Sequence, residues 1–380
     1  MASRGCQRGE CTVKKQISVL TALLTAAAFA VTGCGASGDN AAPSDSSKAA
    51  SQEVPEETEH SEAESTEAEN TGAETGSEAV SEEEKEGSGA SAVRVGSLKG
   101  PTSMGLAYLM ETAKNGETAN TYEFTMAGKA DELVGNIANG SLDIALVPAN
   151  VASVLYNKTQ GQVKVIDINT LGVLYVVASD DSISTMEDLK GKTVYMTGKG
   201  TTPEFAMNYL LAENGLGSGD VTMEFKSEAA EVASILKEDP SAIGVLPQPF
   251  ASAACMRNPE LKTVMDLTEQ WDLLNKEGKS RMVTGVTIVR TGFLEEHEAA
   301  VERFLKDHAE SAEYTSAEPE KAAQLVADIG IVEKAAMAQK AMPLCNIVCI
   351  TGEEMKQALS GYLEVLSGQD AKSIGGTLPG

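Results

Sequence analysis

The chain has 380 residues and a formal net charge of −26 at pH 7, with 56 acidic side chains against 30 basic ones. That balance excludes a protein that tracks nucleic-acid phosphates, which needs a basic surface. Three histidines and six scattered cysteines also leave little from which to build a zinc framework or a histidine-based acid–base centre.

Arg4, Arg8, Lys14 and Lys15 precede an apolar run over residues 17–31, which closes on Thr32-Gly33-Cys34. A basic start, a short apolar middle and small residues before a cleavage point are the requirements of an export signal. The run is short for a bilayer span, which needs about 20 residues. Cys34 directly after Ala30-Val31-Thr32-Gly33 looks like a lipobox, whose thiol takes a diacylglycerol group before cleavage. Residues 1–34 are therefore read as a lipoprotein signal peptide, with an ordinary signal and a chance cysteine as the plainer alternative. Lasting attachment takes two or more acyl chains, so the expected location is the cell membrane, lipid-anchored on its extracytoplasmic face.

Residues 35–90 carry sixteen Asp and Glu against Lys48 and Lys85, with almost no large apolar side chain. Low hydrophobicity with high like charge cannot offset the entropy of ordering, so this stretch reads as a disordered acidic tether. An acidic interaction segment is the alternative. Residues 91–380 remain, enough for two lobes with cores of their own. Cys6 and Cys11 leave with the signal. Cys255, Cys345 and Cys349 form no zinc-like set, lacking a Cys-x-x-Cys pair and a histidine nearby in sequence. Cys345 and Cys349 are read either as a disulfide or as two buried, inert thiols.

In the folded part, short β-like runs alternate with helical patterns, which argues an α/β fold with largely parallel sheets. Val93-Arg94-Val95-Gly96 opens it as a strand, and a loop over 97–103 leads into a helix near 104–113. A strand at 122–126 is followed by a short helix at 131–139, with Leu133, Val134 and Ile137 on one face. The run 143–147 is a buried-type strand ended by Pro148, with a helix after Asn150. Residues 171–179 are almost continuously apolar and must be buried on both faces. Ser184-Thr185-Met186-Glu187 fits a capping box. Another strand around Val194 leads through Gly198-Lys199-Gly200-Thr201-Thr202-Pro203 into a helix over 204–214. Strands at 243–246, closed by Pro247-Gln248-Pro249, and at 283–289 follow. From Phe293 onward the pattern is mostly helical, with Leu294, Val301, Phe304, Leu305 and His308 at helical spacing.

Four pieces in this order carry a family resemblance. They are Val93-Arg94-Val95-Gly96, Gly140-Ser141-Leu142-Asp143-Ile144-Ala145, Met186-Glu187-Asp188-Leu189-Lys190-Gly191-Lys192-Thr193-Val194 and Phe293-Leu294-Glu295-Glu296-His297-Glu298. The chain resembles the type II periplasmic binding proteins, in their nitrate/sulfonate/taurine branch, over about 290 residues. The resemblance implies an α/β fold of two lobes joined by two crossing strands that act as a hinge. Carried over, the crossings fall near 174–177 and 284–287, lobe one comprises 92–173 and 285–380, and lobe two comprises 174–284. The implied function is the extracytoplasmic solute-binding lipoprotein of an ABC importer, without enzymatic activity. Its expected partners are a small-molecule solute, the permease and ATPase subunits, and the membrane through its lipid; nucleic acid is not among them. The chain is expected to be a monomer and to need no cofactor or metal. Relatives bind nitrate, sulfonates or pyrimidine precursors, and the sequence does not choose among them.

Ligands in open α/β sheets bind beyond the carboxyl ends of the strands, at helix N-termini. That rule and the resemblance select the same four loops. Ser97, Thr102, Ser103, Asn150, Thr201, Thr202 and Gln248 offer neutral hydrogen bonds there, and Gly200 its backbone. Lys99 and Lys199 are read as neutralising an anion or as solvated surface lysines. Tyr175 and Phe250 are candidates to stack on a planar ligand, with Phe250 equally placed for the core. Asn150 is read as pocket residue or helix cap, and Cys34 as the lipidation site.

Competing motifs fail. Gly191-Lys192-Thr193 lacks the glycine five positions earlier that a P-loop needs, Met186 standing there. Four positions after His297 stands Val301, so no zinc-protease pair exists. Two alternatives are carried: an enzyme of the same fold in pyrimidine or quinone precursor synthesis, and a binder that reports its ligand to a membrane sensor.

Overall fold

The computed structural model describes residues 92–380. The export signal, Cys34 and the acidic tether lie outside the described residues. The chain runs β1 (Ala92–Leu98), α1 (Pro101–Met104), α2 (Ala107–Lys114), β2 (Thr121–Ala127), α3 (Ala130–Ala138), β3 (Ile144–Pro148), α4 (Ala149–Thr159) and β4 (Val163–Leu171). It continues through β5 (Leu174–Ala178), β6 (Thr193–Met196), α5 (Thr202–Glu213), β7 (Thr222–Phe225), α6 (Ala229–Glu238), β8 (Ile243–Pro247), α7 (Phe250–Arg257), β9 (Lys262–Asp266) and α8 (Leu267–Leu274). The last part is β10 (Val283–Arg290), α9 (Thr291–Glu296), α10 (Glu298–Ala317), α11 (Pro319–Asp328), α12 (Ala335–Ala341), β11 (Ile347–Ile350) and α13 (Gly352–Gln369).

These strands form two sheets, ordered β11-β4-β10-β3-β1-β2 and β7-β6-β8-β5-β9. Each has the same plan. In the first, β1 pairs in parallel with β2 and β3, while β10 is antiparallel to β3 and β4. In the second, β6 pairs in parallel with β7 and β8, while β5 is antiparallel to β8 and β9. The inserted antiparallel strand is in both cases the first one after the chain changes sheet. This is the two-sheet α/β architecture of a type II periplasmic binding protein.

The change of sheet falls slightly earlier than the sequence suggests. The expected crossing strands, β5 and β10, each run wholly within one sheet, and the chain crosses at Gly172-Val173 and again just before Val283. The cause is steric. A Cβ on Gly172 would collide with the Thr268 hydroxyl and with the Met282 side chain, so a glycine lets the first crossing pass close under the residues that lead into the second. The continuous apolar run of 171–178 is accordingly two strands joined by a kink.

All five residues of β5 are buried, as are four of the five in β3, which explains their near-continuous Val, Ile, Leu and Ala content. The edge strand β2 alternates exposed and half-buried instead. One core cluster runs through both sheets by way of Ile168, Leu171, Leu174, Val176, Trp271 and Met282, so the crossing is itself packed. At the opposite end of the first sheet, Asp143 accepts from Arg94 at 2.6 and 2.8 Å and from Arg290 at 2.7 Å. Burial works against the Asp143 carboxylate, but these guanidinium bonds outweigh it and hold its pKa below the usual range. The motif residue Asp143 is thus a clamp joining β1, β3 and β10.

Three local expectations shift. The capping box is built by Thr185 and Asp188, one residue beyond the expected Ser184 and Glu187, around a single 3₁₀ turn over Met186–Leu189. Asp188 accepts from the Ser184 and Thr185 amides at 3.0 and 2.8 Å, which lowers its pKa. Full burial of Met186 and Leu189 sets that phase. The expected helix from Phe293 breaks at His297 into α9 and α10. The C-terminal helical region also contains a strand, β11, on the edge of the first sheet. Cys255, Cys345 and Cys349 are free thiols, so Cys345 and Cys349 form no disulfide.

Candidate functional site

Beyond the carboxyl end of β1, the chain turns at Gly100 (φ 141°), a conformation that suits glycine, and enters α1. Ser97, Thr102 and Ser103 are all buried here. Ser103 Oγ lies 2.7 Å from both Ser97 Oγ and the Leu98 carbonyl, and Thr102 donates to that carbonyl at 2.8 Å. When Ser103 donates to Ser97, the Ser97 proton stays free for another acceptor. Lys99 is exposed, and its backbone N–H is used by the Ala127 carbonyl at 2.9 Å.

At the end of β3 the outcome differs. Asn150 is half-buried and its amide donates at 3.4 Å to the Ser373 carbonyl, tying α4 to the C-terminal segment.

In the second sheet, the loop after β6 leads into α5. Thr201 Oγ1 donates to the Gly198 carbonyl at 2.6 Å, and the Gly200 N–H donates to the Glu204 carboxylate. The helix start that suits an anion therefore already holds one of its own. Lys199 is exposed, with Nζ 5.8 Å from the centre of the Phe225 ring, and Thr202 is half-buried at the first position of α5. Beyond β8, Phe250 is 44 % exposed, so it is not a core residue. Tyr175 belongs to the core, packed with Val177, Leu246 and Ala251, and its hydroxyl donates to the Leu344 carbonyl at 2.7 Å. Burial, with the Asp266 carboxylate next, raises its pKa. It bridges the second sheet to the segment before β11 and has no free face for a planar ligand.

Gln248 is the strongest of the predicted set. It is 2 % exposed, and its backbone N–H donates at 2.9 Å to Val173, the residue at the first crossing. Its Oε1 accepts from the Ser252 amide at 3.3 Å, whereas the buried Nε2 has no partner. Two further buried hydroxyls carry no signal in the sequence: Thr268 Oγ1 beside Gly172, which has no partner, and Tyr362 on the stretch of α13 that packs against α5, facing Thr202. Burial raises the pKa of Tyr362, so it stays a protonated donor. The Tyr362 ring lies 5.4 Å from that of Trp271, at the second crossing. No local motif marks either residue, because their surroundings come from segments about 90 positions away. Asn346 also joins this seam, its amide donating to the Gly172 carbonyl at 2.6 Å.

A cavity of about 610 Å³ lies elsewhere, between α4, α13 and the C-terminal residues, and none of the predicted binding residues lines it. The loops after β1 and β8 present buried hydroxyl and amide groups, and the two lysines stand outside in solvent. Such a set can hold a small solute without bond chemistry.

The periplasmic phosphonate substrate-binding protein of an ABC transporter is the description of a family whose model matches residues 115–332. The chain belongs to this family. A binding protein of Brucella abortus (strain 2308) is 24 % identical over 242 residues, which cover 64 % of this chain and 70 % of that protein. Among solved structures, an ABC transporter protein from Parabacteroides distasonis matches with a TM-score of 0.64 at 22 % identity, covering 76 % of this chain and 97 % of that one. The periplasmic aliphatic sulphonate binding protein of Escherichia coli matches with a TM-score of 0.56 at 16 % identity, covering 74 % and 85 %. These structural matches establish the fold. Members of the phosphonate-binding family are substrate-binding components of importers, which places this chain's work in capture outside the cytoplasm. No helix among the described residues is long and apolar enough to cross a membrane.

Proposed function

We propose that this chain captures a small organic solute bearing a singly charged oxyanion, of the sulfonate or phosphonate kind, and delivers it to a membrane permease. Gln248 carries this reading. An amide donor buried without a partner costs about 1–3 kcal/mol, and an acceptor oxygen arriving in the seam removes that cost. The hydroxyls of Ser97, Thr268 and Tyr362 supply the same neutral chemistry from both sheets. The lysines of these loops are exposed, so charge is met by oriented dipoles and not by a buried cation, which favours one negative charge over two. Because the antiparallel strands β5 and β10 follow the two crossings, the lobes are taken to close on the solute about Gly172-Val173 and the segment before Val283. Acylation at Cys34 is proposed to keep the chain on the membrane, the acidic segment acting as its tether.

The test is a thermal-shift screen of the chain against alkyl and aryl sulfonates, phosphonates, nitrate, pyrimidines and riboflavin-like compounds. A ligand at about a hundred times its dissociation constant stabilises by roughly 2.7 kcal/mol. Sulfonates or phosphonates should give the largest shifts, with the ligand recovered unchanged. Stabilisation by pyrimidines alone would overturn the oxyanion class, and turnover of the ligand would overturn the binding role.

A further inference from the structure

Three side chains distant in sequence converge inside the first lobe, beneath the loop that carries Thr102 and Ser103. Asp167 on β4 and His308 on α10 are fully buried, Cys349 on β11 is half-buried, and one donor atom from each lies within 4.8 Å of the others. Asp167 Oδ2 is 3.1 Å from His308 Nδ1. The other carboxylate oxygen accepts from Thr287 at 2.8 Å, and Thr287 Oγ1 accepts from the Asn169 amide at 3.2 Å. His308 Nε2 has no hydrogen-bond partner although the whole ring is buried. An Asp–His ion pair alone does not call for a thiol within 4.8 Å of both partners.

We propose that Asp167, His308 and Cys349 form a binding site for a divalent transition-metal ion of borderline softness, zinc being the best fit. The donor set of one carboxylate, one imidazole and one thiolate is of the type such ions take. Two ligands at about 2.0–2.1 Å from a common ion with near-tetrahedral angles stand roughly 3.3 Å apart, close to the 3.1 Å between Oδ2 and Nδ1. The charges balance as well. A doubly charged ion with one carboxylate, one thiolate and a neutral imidazole is neutral overall, which a buried site requires. Protons on the imidazole and the thiol leave to solvent as the metal–nitrogen and metal–sulfur bonds form. Thr287 supplies the outer hydrogen bond that orients a metal-bound carboxylate. The ion would cross-link β4, α10 and β11. A Cβ at Gly105, just after α1, would stand 3.6 Å from His308 Nε2, so the site also braces the base of the loop bearing Thr102 and Ser103. Its role is structural, and it is separate from the solute seam around Gln248.

The test is a titration of the metal-stripped full chain with Co²⁺ as a spectroscopic probe, followed by competition with Zn²⁺. The expected result is one equivalent of Co²⁺ with a near-ultraviolet thiolate-to-cobalt absorption band, displaced by Zn²⁺, and a rise in melting temperature with Zn²⁺. Cys349→Ser, with circular dichroism confirming its fold, should lose the band and the thermal rise. Cys255→Ser should keep both. Thr287→Val retains all three donors and should bind about 10–100-fold more weakly. Absence of the band in the folded wild-type chain, or its persistence in Cys349→Ser, would overturn the site.

Discussion

Replacing Gln248 by leucine separates a ligand-binding donor from a structural one. The side chain is 2 % exposed, makes one long bond through Oε1 at 3.3 Å, and leaves Nε2 without a partner. Without solute, the substitution removes an unsatisfied donor that costs about 1–3 kcal/mol and frees the Ser252 amide at a cost of about 1 kcal/mol. The net effect is between zero and about 2 kcal/mol of stabilisation, so the melting temperature stays level or rises by at most roughly 4–8 °C. With solute, the variant lacks a hydrogen bond to a charged acceptor worth about 1.5–3 kcal/mol. At 1.4 kcal/mol per decade, affinity falls about 10–150-fold. Differential scanning fluorimetry reads the first effect and isothermal titration calorimetry the second. An affinity within about twofold of wild type would refute the role of Nε2 in binding. A loss of more than about 2 kcal/mol in the unligated chain would show that Gln248 is a framework residue.

Asp143→Asn breaks the clamp among β1, β3 and β10. Removing one partner of a fully buried ion pair costs about 3–5 kcal/mol, and the partial exposure of Arg94 and Arg290, at 38 and 29 %, reduces this to about 2 kcal/mol by chemical denaturation. Because the folded-state pKa of Asp143 is depressed, its contribution is present above the ordinary carboxylate pKa of about 4 and lost as pH falls below it. The variant should therefore show a flatter stability profile in acid than the wild type. Lys99→Ala combined with Lys199→Ala removes two exposed charges, each worth about 0.2–1 kcal/mol, so an anionic ligand should weaken by less than about thirtyfold, with the difference vanishing at high salt, and a neutral one should not change. Cys34→Ser should release the chain from membranes, judged by fractionation, with solute affinity unaltered; retention on the membrane would contradict lipidation at Cys34.

Seven strands are legible in the sequence: β1, β3, β5, β8 and β10 as largely buried apolar runs, and β2 and β6, more exposed, as short β-like runs between turn signals. The other four, β4, β7, β9 and β11, carry exposed or half-buried positions such as Lys164, Glu224, Lys262 and Cys349; polar residues interrupt the apolar pattern of β4, β7 and β9, and β11 is only four residues long inside a helical stretch. In the seam, Gln248 was visible because it follows a buried strand beside prolines. Tyr175 was misjudged because a tyrosine in an apolar run says nothing of where its hydroxyl goes, and the Leu344 carbonyl that takes it lies 169 positions away. Thr268, Tyr362 and the Asp167–His308–Cys349 group stayed hidden for the same reason. Each owes its surroundings to the crossing of the two sheets or to α10 folding back over β4, and neither event leaves a local pattern.

Trp271 is the only tryptophan in the chain. It is fully buried at the second crossing, between Tyr209 and Tyr362, with its indole N–H 3.2 Å from Ser280 Oγ. Its fluorescence during titration with the strongest sulfonate or phosphonate from the screen tests the central claim most directly. Capture of a solute in the seam predicts a saturable change at one ligand per chain, weakened in Gln248→Leu, with the ligand recovered intact. A flat titration alongside independently measured binding, or a chemically altered ligand, would contradict it.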